Sequence, residues 1–266
     1  MPQFAANLSL LFADSPLLDR FARAAQAGFS AVEVQFPYEA PAAQIRALLD
    51  ENALRMVLHN LPPGNFAEGE RGIACHPGRE EEFRAGVAQA MAYATVLGVP
   101  QLNCLCGIAP PGFDEVEMRR TVINNLRYAA AALGKAGLKL LVEPINNYDV
   151  PGFWLNGTHK AISVMDEVGS DNLYLQYDVY HAQRFEGELA ATLERLLPRI
   201  AHIQIADNPG RHEPGTGEIN YPFLFAHLQR IGYRGFIAAE YLPAGTTEEG
   251  LGWLRKAREQ ALRFKA

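Results

Sequence analysis

The chain has 266 residues, 48% of them hydrophobic, and a formal charge of −6. That length matches one (β/α)8 barrel with a large core, and the acidic balance argues against nucleic acid as the main partner, because phosphate binding needs a basic face. No apolar run is long enough to span a membrane, and no basic region precedes an apolar N-terminal run, so the expectation is a cytoplasmic protein with neither membrane anchor nor signal peptide.

Phe4 to Leu8 reads as a first strand. Ser15-Pro16 predicts a helix start, with the hydroxyl at the N-cap and proline in the first turn. Leu18, Phe21, Ala22 and Ala25 line its inner face, and Gly28 ends it. Strand two is Ala31 to Gln35, helix two runs from Pro41 to Asp50, and strand three is Leu54 to His59. The Gly- and Pro-containing loop from Asn60 to Gly78 is long enough to suggest function. Arg79 to Leu97 is a helix with Phe83, Val87, Met91 and Ala94 inward, and Pro100 to Cys104 is strand four. Asp114 and Glu117 form a capping box for a helix carrying Met118, Val122, Leu126 and Leu133 and closed by Gly137.

Lys139 to Val142 is strand five and leads into Glu143, and Thr158 to Val168 is the next helix. Strand six ends at Asp178, helix six runs from His181 to Leu197, and strand seven ends at Gln204. Asp207 to Tyr221 is a loop, Phe223 to Ile231 a helix, strand eight ends at Glu240, and a last helix spans Thr247 to Phe264. Eight strand–helix units with no spare segment predict a single-domain (β/α)8 TIM barrel over residues 1–266. Of the cysteines Cys75, Cys104 and Cys106, the Cys104-Leu105-Cys106 pair reads as small apolar residues on a buried strand, not as a metal site. The odd count fits a reducing compartment.

Polar residues close four strands, namely Glu143, Asp178, Gln204 and Glu240. Barrel enzymes do their chemistry at that end. Three converging carboxylates need protonation or a cation. An all-oxygen set suits a hard divalent ion, Mg²⁺ or Mn²⁺. His59 and Asn103 close strands three and four, and His181 opens helix six near the same mouth. His202 lies deeper and is expected to be structural, while Asp149 and Asp207 fall in loops over the mouth.

The segments FAANLSLLF, FPYEAP, GERGIACHPGREEEFR, VEPINNYDVPGFWLNGT, LQYDVYHAQRFEG and HIQIADNPGRHEPGTGEINY resemble the hydroxypyruvate isomerase family of the xylose-isomerase-like TIM-barrel superfamily, over nearly the whole length. The resemblance implies that Glu143 and Glu240 are the acid–base pair and that Glu143, Asp178, Gln204 and Glu240 hold the metal. It implies conversion of hydroxypyruvate to tartronate semialdehyde through an enediolate. Isomerases of four-carbon 2-oxo sugar acids are similar, and no motif separates the two. Ketose 3-epimerases resemble the chain more distantly, with His where Gln204 stands and a substrate-contacting His matching His181. A sugar-acid binding protein on the same scaffold is the non-enzymatic alternative. A small anionic 2-oxo acid needs positive charge beyond the metal, for which Arg71, Arg211 and His181 are the candidates. A homo-oligomer is compatible with all of this.

Overall fold

The computed structural model describes residues 3–263. Its strands are β1 Gln3–Asn7, β2 Ala31–Glu33, β3 Arg55–Asn60, β4 Gln101–Cys104, β5 Lys139–Val142, β6 Leu173–Asp178, β7 Ile200–Ile205 and β8 Phe236–Ala239. They follow one another in chain order around a closed barrel. Runs such as Leu140, Leu141 and Val142, each 0% exposed, are what a parallel strand covered on both faces requires. The helices are α1 Arg20–Gln26, α2 Ala42–Glu51, α3 Glu80–Leu97, α4 Glu115–Lys135, α5 Gly157–Val168, α6 Val179–Phe185, α7 Leu189–Leu196, α8 Tyr221–Arg230, α9 Thr247–Gly250 and α10 Gly252–Arg263. None of these helices is long and apolar enough to cross a membrane.

The chain folds as two compact units. The first takes the chain up to Glu33, Ala47–Val57, and everything from Tyr177 onward. In it β1 pairs in parallel with β2, setting Asn7 beside Glu33, and with β8. There β7 also pairs with β8, Gln204 beside Ala238. Phe4 packs edge-on against Phe225 and Trp253, both with centroids 5.3 Å away, which buries one end of this unit's sheet. The second unit takes Val34–Arg46 and Leu58–Gln176. Its parallel registers set Asn60 beside Asn103 and Asn103 beside Leu141. Helix α3 buries Phe83, Val87, Ala90, Ala94 and Leu97, one stripe at three- and four-residue steps.

Several expectations hold in detail. The capping box at Asp114 is present, Asp114 Oδ1 accepting from Glu117 N at 2.8 Å. The three cysteines are buried and free, and burial pushes the Cys75 thiol up to about 12.

Others need correction. Ser15 does not cap α1; its hydroxyl accepts from Arg23 Nη1 at 2.6 Å, and a 3-10 turn at Leu17–Asp19 starts the helix instead. Ala24, not Ala25, is the buried alanine of α1, and Ala90 replaces Met91 on the inner face of α3. The expected helix from His181 to Leu197 is two helices. Gly187 (φ 66°) and Glu188 (φ 51°) both enter the left-handed region, which breaks the backbone ladder between α6 and α7. The final helix is likewise split into α9 and α10, and its expected end at Phe264 lies outside the described residues.

Candidate active site

In the second unit the organising group is Glu143, one residue past β5 and 5% exposed. Its Oε2 accepts from Asn103 Nδ2 at 2.9 Å and from Gln176 Nε2 at 2.8 Å. Asn103 closes toward β3 as well, donating to Asn60 Oδ1 at 3.2 Å. Two amides thus fix the plane of the carboxylate without bringing a positive charge to it. Asn103 Oδ1 itself is buried and receives no hydrogen bond among the described residues.

His59 is fully buried on β3. Its Nδ1 lies 3.1 Å from the Asn60 carbonyl and 3.3 Å from the Tyr38 hydroxyl, which donates to that same carbonyl. Both neighbours therefore accept from Nδ1, so the ring proton sits there and Nε2 presents a lone pair. Burial holds the imidazole down to about 4, neutral at ordinary pH.

Arg71 is engaged within its own loop. It donates to the carbonyls of Phe66 (3.2 Å) and Glu70 (2.8 Å), and its guanidinium lies 3.8 Å from the centre of the Phe66 ring. Glu70 pairs with Arg79 instead. Gly72, with φ 98°, stands where any Cβ would run into the Leu105 carbonyl, so its glycine serves close packing of the loop on the chain after β4.

In the first unit Asp178 ends β6 and also caps α6. Oδ1 accepts from the backbone of Tyr180 at 2.8 Å and of His181 at 3.4 Å. Oδ2 lies 3.6 Å from His181 Nε2 and accepts no hydrogen bond among the described residues. Burial raises the Asp178 carboxyl from its ordinary 3.8 to about 6. Glu33 pushes the same way, while Arg211 and the two backbone N–H groups oppose. His181 is held well below its usual range, first by burial and then by the charges of Arg211 and Arg184.

Glu240 follows β8 directly and is 3% exposed. Arg211 Nη2 stands 3.4 Å from Glu240 Oε1, with the guanidinium 5.3 Å from the Tyr180 ring centre. Asp207 is wholly buried and shapes the loop that carries Arg211: it accepts from the backbone of Gly215 at 2.7 Å and Ile219 at 3.1 Å. Asp149, by contrast, is exposed and accepts from Asn146 Nδ2 at 3.3 Å.

Sequence reasoning missed Glu33. It closes β2 at 0% exposure, with Oε1 accepting from Asn7 Nδ2 and from Gln204 Nε2, both at 2.7 Å, and Oε2 2.6 Å from His202 Nε2. The available signal was a charged residue inside a short apolar strand, between Val32 and Val34, where a solvated face is the ordinary reading. His202, expected to be structural, is 0% exposed and lies against Glu33.

A family model for the xylose isomerase-like TIM barrel matches residues 21–257. The chain is 52% identical to a hydroxypyruvate isomerase of Escherichia coli, across 96% of this chain and 98% of that one. It is 47% identical to a 2-oxo-tetronate isomerase of Cupriavidus necator, across 96% and 98%. A solved structure from Brucella melitensis, described as a family 2 AP endonuclease, superposes with a TM-score of 0.94 at 44% identity, covering 96% of this chain and 99% of that one. The chain belongs to the xylose isomerase-like TIM-barrel family.

Proposed function

We propose that the chain is an aldose–ketose type isomerase of a small anionic 2-oxo acid, interconverting hydroxypyruvate and tartronate semialdehyde in the cytoplasm. The observation that carries the reading is the set of buried strand-end carboxylates Glu143, Asp178 and Glu240, exposed by only 5%, 3% and 3%. The relatives named above support the substrate class.

A divalent cation, Mg²⁺ or Mn²⁺, belongs to the proposal. The donor chemistry fits it: Asp178 Oδ2 is buried without a hydrogen bond among the described residues. Glu143, Asp178 and His181 are buried groups able to hold an ion. Glu143, Asp178, Gln204 and Glu240 are the proposed ligands, and His181 Nε2 lies 3.6 Å from Asp178 Oδ2. When bound, such a cation lowers the cost of negative charge developing on substrate oxygen.

The side chains do the rest. One of the pair Glu143 and Glu240 takes a proton from the hydroxyl-bearing carbon of hydroxypyruvate, leaving an enediolate. The proton returns to the neighbouring carbon, with the other carboxylate as partner acid or base. His59, Asn103 and His181 are proposed to contact substrate oxygens. Burial keeps both histidines neutral near neutral pH, so they meet the substrate as hydrogen-bonding groups and not as cations. Counter-charge for the substrate carboxylate then falls to Arg211 and Arg71.

The test is a substrate panel followed by NMR in heavy water: chelated protein restored with Mn²⁺ is given hydroxypyruvate, a four-carbon 2-oxo sugar acid, or a ketohexose. Fastest turnover of hydroxypyruvate is expected, with deuterium at the receiving carbon in the fraction of turnovers in which the carboxylate exchanges its proton with solvent before delivering it. Faster turnover of the four-carbon acid reassigns the chain to 2-oxo-tetronate isomerisation, and a preferred ketohexose to 3-epimerisation. Tight binding with no turnover of any would make it a sugar-acid binding protein.

A further inference from the structure

A glutamine side chain is an ambiguous metal ligand. Its amide is planar, with a donor nitrogen at one end and an acceptor oxygen at the other, and only the oxygen can bind a cation. A half-turn about the last torsion exchanges them, so a partner must decide which end faces the ion. Around Gln204 that partner is Glu33. Gln204 Nε2 donates to Glu33 Oε1 at 2.7 Å. The same oxygen accepts from Asn7 Nδ2 at 2.7 Å. The Asn7 amide is itself oriented by the main chain, since Ser9 N donates to Asn7 Oδ1 at 3.0 Å. A backbone N–H thus sets Asn7, Asn7 and His202 set Glu33, and Glu33 sets Gln204. Reversing the Gln204 amide would press its carbonyl against a carboxylate oxygen and leave a buried donor unmade, the costly case for buried polar groups.

We propose that Glu33 is a positioning residue: its carboxylate, braced by Asn7 and His202, turns the Gln204 amide so that oxygen and not nitrogen is presented to a divalent cation. This rests on the reading of Gln204 as a ligand. Glu33 touches neither cation nor substrate in this role; its charge is also felt at Asp178, and Glu33→Gln, which removes that charge but keeps the acceptor oxygen, separates the two effects. Isosteric replacement by methionine removes the acceptor oxygens and keeps the volume. Glu33→Gln keeps one acceptor oxygen for Asn7 and Gln204, and its amide nitrogen meets His202 Nε2, which accepts it once the ring proton sits on Nδ1 instead.

The experiment is calorimetric titration of chelated full-length protein with Mn²⁺, with no substrate present, on Gln204→Ala, Glu33→Met, the double variant and Glu33→Gln. Gln204→Ala and Glu33→Met should each weaken Mn²⁺ binding about 10- to 100-fold, as loss of a ligand's orienting partner does. Because Glu33 acts through Gln204, the double variant should bind within about twofold of Gln204→Ala alone. Glu33→Gln should stay within about twofold of the unaltered protein. Weakened binding in Gln204→Ala with unchanged binding in Glu33→Met overturns the role of Glu33 and leaves the ligand reading standing. Additive losses in the double variant overturn it too, since Glu33 would then act by another route. Unchanged binding in Gln204→Ala removes Gln204 from the ligands and the role of Glu33 with it. If Glu33→Met fails to fold by circular dichroism, Glu33→Gln decides: a loss as large as that of Gln204→Ala refutes the proposal, and retained affinity upholds it.

Discussion

Asp178 is where the proposed cation site works hardest against the fold, and Asp178→Asn measures by how much. Burial carries its carboxyl from 3.8 to about 6. The folded state therefore holds this proton more tightly than the unfolded chain does. Stability from this group is complete below the unfolded value and is lost as pH rises through the folded one. At about 1.4 kcal/mol per tenfold change, ionising Asp178 costs the metal-free fold on the order of 3 kcal/mol near neutral pH. The side chain is 1% exposed, so water does little to screen that cost. Asparagine removes the charge and keeps the cap. Its oxygen can accept from Tyr180 N as Asp178 Oδ1 now does at 2.8 Å, and the two residues cap helices about equally well. In chelator near neutral pH, Asp178→Asn should be more stable to urea than the unaltered protein by about 2–3 kcal/mol. The gain should shrink as pH falls through the folded value and vanish below the unfolded one, where both side chains are neutral in both states. His59 titrates in the opposite sense but is common to both proteins, so it cancels in the difference. Saturating Mn²⁺ should reverse the order, because binding at about a thousand times Kd adds roughly 4 kcal/mol to the protein that keeps its ligand. If Asp178→Asn is less stable than the unaltered chain in chelator, or its gain persists unchanged in acid, the reasoning from buried charge is wrong.

Glu143→Gln and Glu240→Gln should each stay folded and lose about 10²–10⁴ in turnover of hydroxypyruvate; near-normal turnover in either removes that residue from the proton relay. Arg211→Ala and Arg71→Ala should raise KM for hydroxypyruvate about ten- to a hundredfold, the worth of a charged hydrogen bond, and whichever variant leaves KM within about twofold does not hold the carboxylate. The chain is proposed to behave as one domain in spite of its two compact units. Trp154 belongs to one unit and Trp253 to the other, so their fluorescence in single-tryptophan variants and the far-ultraviolet circular dichroism should trace one coincident unfolding curve. Separated midpoints would divide the domain.

What the sequence made legible was whatever a short window encodes. A buried strand followed at once by a charged or amide residue located Glu143, Asp178, Gln204 and Glu240, because periodicity and chain order alone put such residues at strand ends. Asp114 and Glu117 signalled their own capping box three residues apart. Glu33 escaped because its partners come from far along the chain: Asn7 is 26 residues away, His202 169 and Gln204 171. Seen locally, Ala31-Val32-Glu33-Val34 is an ordinary alternating strand with its Glu in water. Ser15 failed in the reverse sense, since a good N-cap residue was taken by the Arg23 guanidinium. The break between α6 and α7 was hidden by continuous apolar spacing that a left-handed Gly187-Glu188 pair interrupts without disturbing the pattern.

The choice of partners for the buried carboxylates carries a further step of argument. Glu143 is held by the amides of Asn103 and Gln176, and Glu33 by those of Asn7 and Gln204. An Arg or Lys in any of these four positions would satisfy the same oxygens and add a full positive charge. It would also neutralise the field that a cation needs, and the divalent ion would compete with a fixed side chain. Amide donors orient a carboxylate and leave its charge standing. The Arg211 guanidinium stands 3.4 Å from Glu240 and lies over the Tyr180 ring. A substrate carboxylate binding Arg211 would draw positive charge away from Glu240, making that glutamate a stronger base when substrate is bound than when the site is empty. On this argument the neutral ketohexose of the substrate panel, lacking the carboxylate, should bind without that activation and turn over slowly for want of a base, not for want of contacts.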